Sequence, residues 1–456
     1  MQLLDLITIF IFALGIVIMG LSFSGKGRNM KSFFAAGGAV PWLMSGLSLF
    51  MGFFSAGTFV VWGSIAYSLG WIAISIQWTM AIAGFVVGFF IAPRWHKTSA
   101  LTVAEYITRR LGVNTQKTYT YLFLFISLFT TGSFLYPVAK IVEVSTGMPL
   151  DLCILLLGGF CIVYVAAGGL WAVVSTDVLQ FIILTAAVLI VVPLSFGRVG
   201  GVVNFIESIP ATYFNLVNGE YTIGFIVAFG VYNTIFLGGN WAYVQRYASV
   251  NSQSSARKVG FLFGGLYVVS AVLWMLPPMI YRIVNPSLST IDAEGAYLMM
   301  CKEVLPAGLL GLMLSGMVFA TASSLNATLN ISSGVVTNDI FKRLFPQSSD
   351  KTLMRVARIS TIIFGLLAII VALLIPLMGG IVNVVISVAA LTGVPLYLPI
   401  IWTLFSKRQT EYSVITTTLV SLGANAFFKF ITPLWGFGFN RAEEMIVGVA
   451  FPVLCL

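Results

Sequence analysis

The sequence predicts an all-α membrane protein that crosses the bilayer many times. Of its 456 residues, 59% are hydrophobic and only 9% are charged, whereas charged residues make up roughly 25% of an average soluble domain. Apolar runs of about twenty residues, long enough to cross a hydrocarbon core of ~30 Å, recur along the whole chain. No stretch has the composition of a separate soluble domain, so residues 1–456 are expected to form a single transmembrane domain.

The apolar runs predict twelve full spans and one terminal fragment. The spans are expected at residues 4–24, 41–69, 71–93, 117–143, 151–168, 174–196, 222–242, 259–283, 305–338, 357–376, 383–405 and 411–432, with the fragment starting at residue 443. The fragment has fourteen residues, too few to cross the bilayer. The natural chain is therefore expected to continue beyond Leu456.

The basic residues predict the orientation of the chain in the membrane. The first span follows Asp5 and precedes Lys26, Arg28 and Lys31, which is the reverse of the charge order in a signal peptide. Because cytoplasmic loops are enriched in Lys and Arg, this span is expected to be retained with the N-terminus outside. In that orientation, 18 of the 24 Lys and Arg residues fall in or beside cytoplasmic segments. The net charge of +9 thus reflects topology in a plasma or inner membrane and not binding to nucleic acid.

Two predicted spans are interrupted by small residues. The interruption lies at mid-length in the second span and at a corresponding position in the seventh span, five spans later. The residues concerned are Gly52, Ser55, Ala56 and Gly57 in the second span and Gly230, Asn233, Gly238 and Gly239 in the seventh. Such pairs are expected of inverted repeats whose broken helices expose backbone groups at a central site. The alternative, that these glycines only let helices pack closely, stays open on composition alone.

The ninth span is unusually polar for a segment at membrane depth. Eight of its thirteen residues from 321 to 333 are Ser, Thr or Asn, namely Thr321, Ser323, Ser324, Asn326, Thr328, Asn330, Ser332 and Ser333. On a helix, Ala320, Ser323 and Ser324 share a face, which brings one carbonyl and two hydroxyls together. Neutral oxygens of this kind suit a sodium ion. Hydrogen bonds between helices, worth ~0.6 kcal/mol each, are the alternative, but eight such residues exceed what packing usually requires.

Titratable groups are scarce within the predicted spans. Asp177, near the start of the sixth span, is the one carboxylate expected inside the bilayer. Its alternative role is that of a first-turn carboxylate stabilised by the helix N-terminus. Because proton-coupled carriers usually need a titratable group at this depth, the scarcity favours sodium. The only histidine, His96, lies in a basic loop, and no cluster of His, Cys and carboxylates indicates an enzyme.

Several motifs resemble the sodium:solute symporter family, which includes sodium-coupled sugar, sialic acid and proline carriers. They are the second span, TVAEYITRRLG, GGLWAVVSTDVLQ and, above all, ATASSLNATLNISSGVVTNDIF. The resemblance covers essentially the whole chain and implies a five-plus-five inverted-repeat core of the LeuT type. The repeats would be residues 41–196 and 222–405, with an extra N-terminal helix at 4–24 and C-terminal helices at 411–456. About thirteen transmembrane helices are implied, the last one truncated.

The resemblance also implies sodium ligands. One sodium site of that family takes two backbone carbonyls from the first core helix and a carbonyl with two hydroxyls from the eighth. These positions fall on Met51, Phe54, Ala320, Ser323 and Ser324. Some members hold a second sodium ion with an aspartate of the fifth core helix and two further hydroxyls of the eighth. Asp177 matches the aspartate, but Asn326 and Ala327 stand where those hydroxyls would be, so one coupled sodium ion is expected.

Solute contacts are implied on three core helices. The polar positions that resemble those of sugar and sialic acid carriers are Ser55, Thr58, Gln77 and Asn233. Phe236 stands at the position of an aromatic inner gate. Sialic acid carriers resemble one another in an arginine on the third core helix, where this chain has Thr130. A neutral sugar or polyol therefore fits better, with Trp62 and Trp78 near enough to stack on a sugar ring or to pack and anchor the helices.

The sequence thus predicts a sodium-coupled symporter that imports a small polar solute by alternating access. A carrier of a carboxylate such as sialic acid or an amino acid is one alternative. A transporter-like membrane sensor and a passive channel are two others. The expected partners are the solute, sodium ions and the lipid bilayer, and the expected transport unit is a monomer.

Overall fold

The chain forms a bundle of helices whose bounds follow the apolar runs. A computed structural model describes residues 2–24, 40–100, 102–164 and 170–456, and this part of the chain contains helices and connecting turns but no strand. The helices of the first half are α1 (Leu3–Ser24), α2 (Trp42–Met51), α3 (Thr58–Leu69), α4 (Ile72–Lys97), α5 (Val103–Leu111), α6 (Val113–Thr146), α7 (Leu150–Tyr164), α8 (Leu170–Arg198) and α9 (Val202–Ser208). Those of the second half are α10 (Ile223–Gly239), α11 (Trp241–Ala248), α12 (Gln253–Val284), α13 (Ala296–Val304), α14 (Leu309–Gly334), α15 (Asp350–Leu374), α16 (Ile381–Thr403), α17 (Glu411–Ala426) and α18 (Arg441–Leu454).

Each predicted span corresponds to one helix or to a pair of helices. Within the described ranges, seven helices are long and apolar enough to cross a membrane, and the bent pair α10 and α11 would make an eighth. The first, fifth and ninth predicted spans correspond to α1, α7 and α14, and the second is divided between α2 and α3. The all-α multi-pass architecture is confirmed, whereas the number of about thirteen spans and the repeat boundaries stay predictions.

The second span is broken where the small residues predicted it. Helix α2 ends at Met51 and α3 begins at Thr58, with the break between them. In the seventh span, α10 runs without interruption through Gly230 and Asn233 and ends at Gly239, the last of the small residues named. The chain then bends by 59° between α10 and α11. Asn240 makes this bend stable, since its Oδ1 accepts a hydrogen bond from the Ala242 N–H at 3.0 Å and caps α11.

The glycines of the two interrupted spans have different surroundings. A Cβ added to Gly238 would lie 2.8 Å from Ile91, and one added to Gly239 would lie 2.7 Å from Tyr397. These two glycines therefore let α10 pack closely on its neighbours, as the packing alternative predicted. Around Gly57 the nearest atom would be 3.7 Å away, so no neighbouring helix requires a glycine at that position.

Helix α14, which contains the polar stretch, lies at the centre of the bundle. It packs against α1, α6, α8 and α15, and a π-helical segment, Val335–Phe341, continues it. Its N-terminus is fixed by the extra helix α1. The buried Asp5 carboxylate accepts hydrogen bonds from the backbone N–H groups of Gly308 at 2.7 Å and Gly311 at 3.2 Å. The Thr8 hydroxyl donates to the Gly308 carbonyl at 3.0 Å.

Replacing Asp5 by alanine is expected to destabilise the protein by about 2 kcal/mol, because hydrogen bonds to a charged group contribute roughly 1.5–3 kcal/mol. The N-terminus of α14 would also lose its cap. Thermal unfolding in detergent measures the effect as a lower midpoint. Asp151→Ala is the control, since Asp151 is an exposed first-turn carboxylate of α7 and such surface changes usually stay within about 0.5 kcal/mol. Equal midpoints for the two variants would contradict the role given to Asp5.

Candidate functional site

A polar cavity of about 80 Å³ lies between the broken second span and the polar helix α14. On the scale used for buried water, a cavity of roughly 10–15 Å³ holds one molecule, so this one accommodates several waters or a hydrated ion. Its lining comes from α2, α6, α8, the α10–α11 bend and α14, and consists of Ser48, Leu49, Met51, Gly52, Phe134, Asp177, Asn240, Ala242, Tyr243, Arg246, Ala320, Ser324 and Thr328. Four of the residues singled out from the sequence as sodium ligands therefore face one space: Met51, Asp177, Ala320 and Ser324.

Residues from both halves of the first predicted sodium site line this cavity. Met51 is the last residue of α2 and is buried at the edge of the break. Ala320 and Ser324 are one turn apart on α14. Phe54 lies within the break and packs its ring on Trp274, with centroids 4.8 Å apart, so only its backbone is available as a ligand. The Ser323 side chain lies outside the described residues.

A direct hydrogen bond joins the break to α14. The Ala56 N–H donates to Thr321 Oγ1 at 3.0 Å, and the Thr321 hydroxyl donates in turn to the Met317 carbonyl at 2.9 Å. Other hydroxyls of the polar stretch have partners too, because Thr328 donates to the Ser324 carbonyl and Ser332 donates to Ser127 of α6. Hydrogen bonding thus accounts for part of the stretch. The neighbourhood of Ser324 is the part that faces the cavity.

Asp177 lies in a buried polar cluster that also lines the cavity. The Ser48 hydroxyl of α2 donates to Asp177 Oδ2 at 2.5 Å, and Arg246 Nε of α11 donates to the Ser48 hydroxyl at 3.0 Å. The Arg246 guanidinium also lies 4.0 Å from the same carboxylate oxygen. A positive side chain therefore already balances the buried carboxylate. Asn326, the other residue predicted for a second sodium ion, has its side chain outside the described residues.

The first-turn alternative for Asp177 is wrong. Helix α8 begins at Leu170, so Asp177 lies two turns beyond the N-terminus, where the helix dipole has little effect. The sequence did not indicate the partners of this carboxylate. Ser48 is an ordinary residue of an apolar helix, and Arg246 counts in the sequence only as one of the cytoplasmic basic residues.

The predicted solute residues lie on helices that pack against each other. Gln77 of α4 and Asn233 of α10 are buried, and the two helices are in extensive contact. Among the described residues, Gln77 Nε2 and Asn233 Oδ1 have no hydrogen-bond partner. Ser55 is also buried, whereas the Thr58 hydroxyl donates to the Phe53 carbonyl inside the break. A donor and an acceptor are thus left for something outside the protein.

An aromatic cluster around Phe236 connects the helix of Asn233 with the wall of the cavity. Phe236 is one turn beyond Asn233 on α10, and its ring centroid is 5.5 Å from that of Tyr232, 5.5 Å from that of Tyr243 and 6.0 Å from that of Tyr397. Tyr243 lines the cavity, so the predicted gate residue contacts a residue of the cavity wall.

The two tryptophans expected near the solute have protein partners. Trp78 Nε1 donates to the Val268 carbonyl of α12 at 3.1 Å. The ring of Trp62 packs edge-on against Phe229 of α10, with centroids 5.7 Å apart. Both contacts match the packing role that the sequence left open.

Proteins of known sequence resemble this chain over most of its length. Residues 33–420 match the model of the sodium:solute symporter family. A sodium/glucose cotransporter of Vibrio parahaemolyticus is 29% identical over 94% of this chain and 86% of its own length. Solute carrier family 5 member 4B of Mus musculus is 26% identical over 91% of this chain and 69% of its own. Sodium/myo-inositol cotransporter 2 of Oryctolagus cuniculus is 26% identical over 80% of this chain and 60% of its own length.

Solved structures share the fold. The substrate-bound, outward-open state of a Na⁺-coupled sialic acid symporter superposes with a TM-score of 0.82 at 21% identity, covering 100% of this chain and 96% of the other. A nucleobase-cation-symport-1 family transporter gives a TM-score of 0.59 at 15% identity, with 93% of each chain covered. These likenesses confirm the LeuT-type fold class. The match of residues 33–420 to the family model establishes that the chain belongs to the sodium:solute symporter family and is a sodium-coupled membrane transporter, not an enzyme.

Proposed function

We propose that this transporter imports a small neutral polyhydroxylated solute, a sugar or polyol, together with one sodium ion. The observation that carries the proposal is the pair of buried amide groups without protein partners, the Gln77 Nε2 donor and the Asn233 Oδ1 acceptor. A buried polar group without a partner costs roughly 1–3 kcal/mol. A hydroxyl group both donates and accepts hydrogen bonds, so a solute rich in hydroxyls satisfies both amides.

Charge at the site supports a neutral solute over a carboxylate. Thr130, which stands at the position of the arginine in sialic acid carriers, has its hydroxyl directed to the backbone carbonyls of Ser127 and Ile126 at 3.2 and 3.4 Å. Arg246, the cation that lines the cavity, is balanced by Asp177. The glucose and myo-inositol cotransporters among the relatives have names that point to the same class of solute.

The proposed sodium site joins the two halves of the cavity wall. The backbone carbonyls of Met51 and Phe54 and the oxygens of Ala320, Ser323 and Ser324 would hold the ion between the break and α14. The shared cavity supports this arrangement. Asp177 and Asn326 would not form a second site, because Arg246 already supplies the positive charge that a second ion would bring.

Coupling follows from the order of binding. Sodium entering from outside would draw the break toward α14 and shape the adjacent solute site, after which Phe236 would open toward the cytoplasm. We infer an outside N-terminus from the distribution of basic residues, repeats at residues 41–196 and 222–405, and a monomeric transport unit. Each charge carried inward gains about 2.3 kcal/mol per 100 mV, so one sodium ion can drive accumulation of the solute.

A thermal-shift screen of the purified protein tests the choice of solute. Sugars, polyols, amino acids and carboxylates are each added in sodium and in choline buffer. A sugar or polyol is expected to raise the unfolding midpoint in sodium but not in choline. The size of the effect follows from the ligand concentration, since a ligand at 100 times its Kd stabilises the folded state by about 2.7 kcal/mol. Stabilisation by a carboxylate or amino acid alone would overturn the proposed solute class. Equal stabilisation in choline would contradict coupling to sodium.

A further inference from the structure

A buried threonine on α4 contacts the amide of Asn233. Thr79 is 3% exposed, and its hydroxyl donates a hydrogen bond to the Ile76 carbonyl at 2.5 Å. The same oxygen accepts a hydrogen bond from Asn233 Nδ2 at 2.8 Å. The contact joins two helices whose residues are 154 positions apart in the sequence. Neither the motifs nor the family resemblance gives Thr79 a role.

The chemistry of this contact fixes which way the Asn233 amide points. A threonine hydroxyl has one proton, and here the proton is directed to the Ile76 carbonyl, which can only accept. The Thr79 oxygen is therefore left as an acceptor, so Asn233 must offer its NH₂ group. The amide oxygen then points away from Thr79, where it is buried with no partner among the described residues. Rotating the amide by 180° would set two acceptors against each other unless Thr79 gave up its hydrogen bond to the Ile76 carbonyl.

We propose that Thr79 is a positioning residue that makes the solute site selective for a hydroxyl able to donate a hydrogen bond to Asn233. The inference rests on the proposed function and deepens it, because it states that the solute group at Asn233 must donate a hydrogen bond. A group that only accepts, such as fluorine in place of the hydroxyl, leaves Asn233 Oδ1 unpaired. Gln77 Nε2 is a hydrogen-bond donor and would bind an acceptor at another position on the solute, independently of Thr79.

The variants separate the hydroxyl of Thr79 from its volume. Thr79→Val keeps the shape of the side chain and removes the hydroxyl, so the Asn233 amide is free to rotate. Thr79→Ser keeps the hydroxyl. Gly230→Ala is the matched control on the facing helix, since a Cβ there would lie 3.6 Å from the Thr79 Cβ, an ordinary contact that leaves both hydrogen bonds in place.

The experiment measures sodium-driven uptake in proteoliposomes. The substrate is whichever of radiolabelled D-glucose and D-galactose the wild type takes up better, and the competitors are its monodeoxyfluoro derivatives, one for each ring position. At one position the wild type is expected to bind the fluoro sugar at least about tenfold more weakly than the parent sugar, because a site built around a hydroxyl rejects an analogue that lacks it. Thr79→Val is expected to reduce this ratio to about threefold or less, whereas Thr79→Ser and Gly230→Ala keep the wild-type ratio.

Other readouts distinguish positioning from damage to the fold. The half-saturating sodium concentration of Thr79→Val is expected to match that of the wild type, since the change lies outside the cavity that Met51, Ala320 and Ser324 line. The fluoro sugar substituted at the position that faces Gln77 is expected to compete equally well in Thr79→Val and in the wild type, because Gln77 Nε2 is a donor. If Thr79→Val keeps the full tenfold ratio, or if the wild type shows none, the role of Thr79 is refuted while the transport proposal stands. If the wild type takes up neither sugar, the proposed solute class fails, and the inference that rests on it fails as well.

Discussion

Replacing Ser324 by alanine is expected to abolish sodium-dependent uptake in a protein that still folds. Ser324 lines the same cavity as Met51, and its hydroxyl is one of the side-chain oxygens proposed to hold the ion. A loss of only 1.4 kcal/mol already weakens binding tenfold, and a small cation with one ligand missing is expected to lose more. Uptake in sodium and in choline, measured side by side with a thermal unfolding midpoint, gives the result.

Thr337→Val is the matched control for this change. Thr337 is also a buried hydroxyl residue of the same continuous helical segment, and its hydroxyl donates to the Ser333 carbonyl at 2.7 Å, away from the cavity. This variant is expected to retain sodium-dependent uptake with a similar half-saturating sodium concentration. Sodium dependence that is unchanged in Ser324→Ala would count decisively against the ion site.

Asp177→Asn is expected to be the most destabilising of the changes considered and to reduce uptake. Removing one partner of a buried ion pair leaves the other charge uncompensated, which typically costs about 3–5 kcal/mol. Here the charge left behind is the Arg246 guanidinium, whose side chain is 12% exposed. The double variant Asp177→Asn with Arg246→Gln removes both charges and is expected to recover much of the lost stability. A double-mutant cycle of unfolding midpoints measures this coupling.

An exposed ion pair provides the control for this cycle. Arg198 and Glu303 lie 3.1 Å apart with side chains 52% and 35% exposed, and such pairs contribute about 0–1 kcal/mol. Glu303→Gln is therefore expected to change the unfolding midpoint little.

The dependence of uptake on sodium concentration tests separately whether Asp177 holds a second sodium ion. A steep dependence in the wild type that becomes hyperbolic in Asp177→Asn would show a second sodium ion at this carboxylate and overturn the assignment of its charge to Arg246.

The sequence was sufficient for those features that depend on local composition. The break in the second span follows from small residues that no neighbouring helix requires, as the open space around Gly57 illustrates. The bend in the seventh span lies directly after Gly238 and Gly239, the last two of the small residues named for it, but these glycines serve close packing and Asn240 ends the helix by capping the next one. An asparagine followed by a new helical run is a capping signal. This signal places the bend one residue after Gly239.

The partners of the site residues could not be predicted in the same way. Asp177 and Asn233 stand out in the sequence because polar groups are rare at membrane depth. Their partners do not stand out, because Ser48 is 129 positions from Asp177 and Thr79 is 154 positions from Asn233. Each partner reaches its site residue only when the helices pack. Whether a polar group at membrane depth is already paired or is left for a ligand therefore depends on tertiary structure.

Flux into proteoliposomes tests whether sodium drives the solute. Purified protein is reconstituted and given an inward sodium gradient with a negative interior, and a radiolabelled sugar or polyol from the thermal-shift screen is followed over time. The solute is expected to rise transiently above its equilibrium level and then to fall back as the sodium gradient decays. Accumulation is expected to vanish when choline replaces sodium. Solute flux that is the same in sodium and choline and never exceeds equilibrium would identify a passive channel and contradict symport.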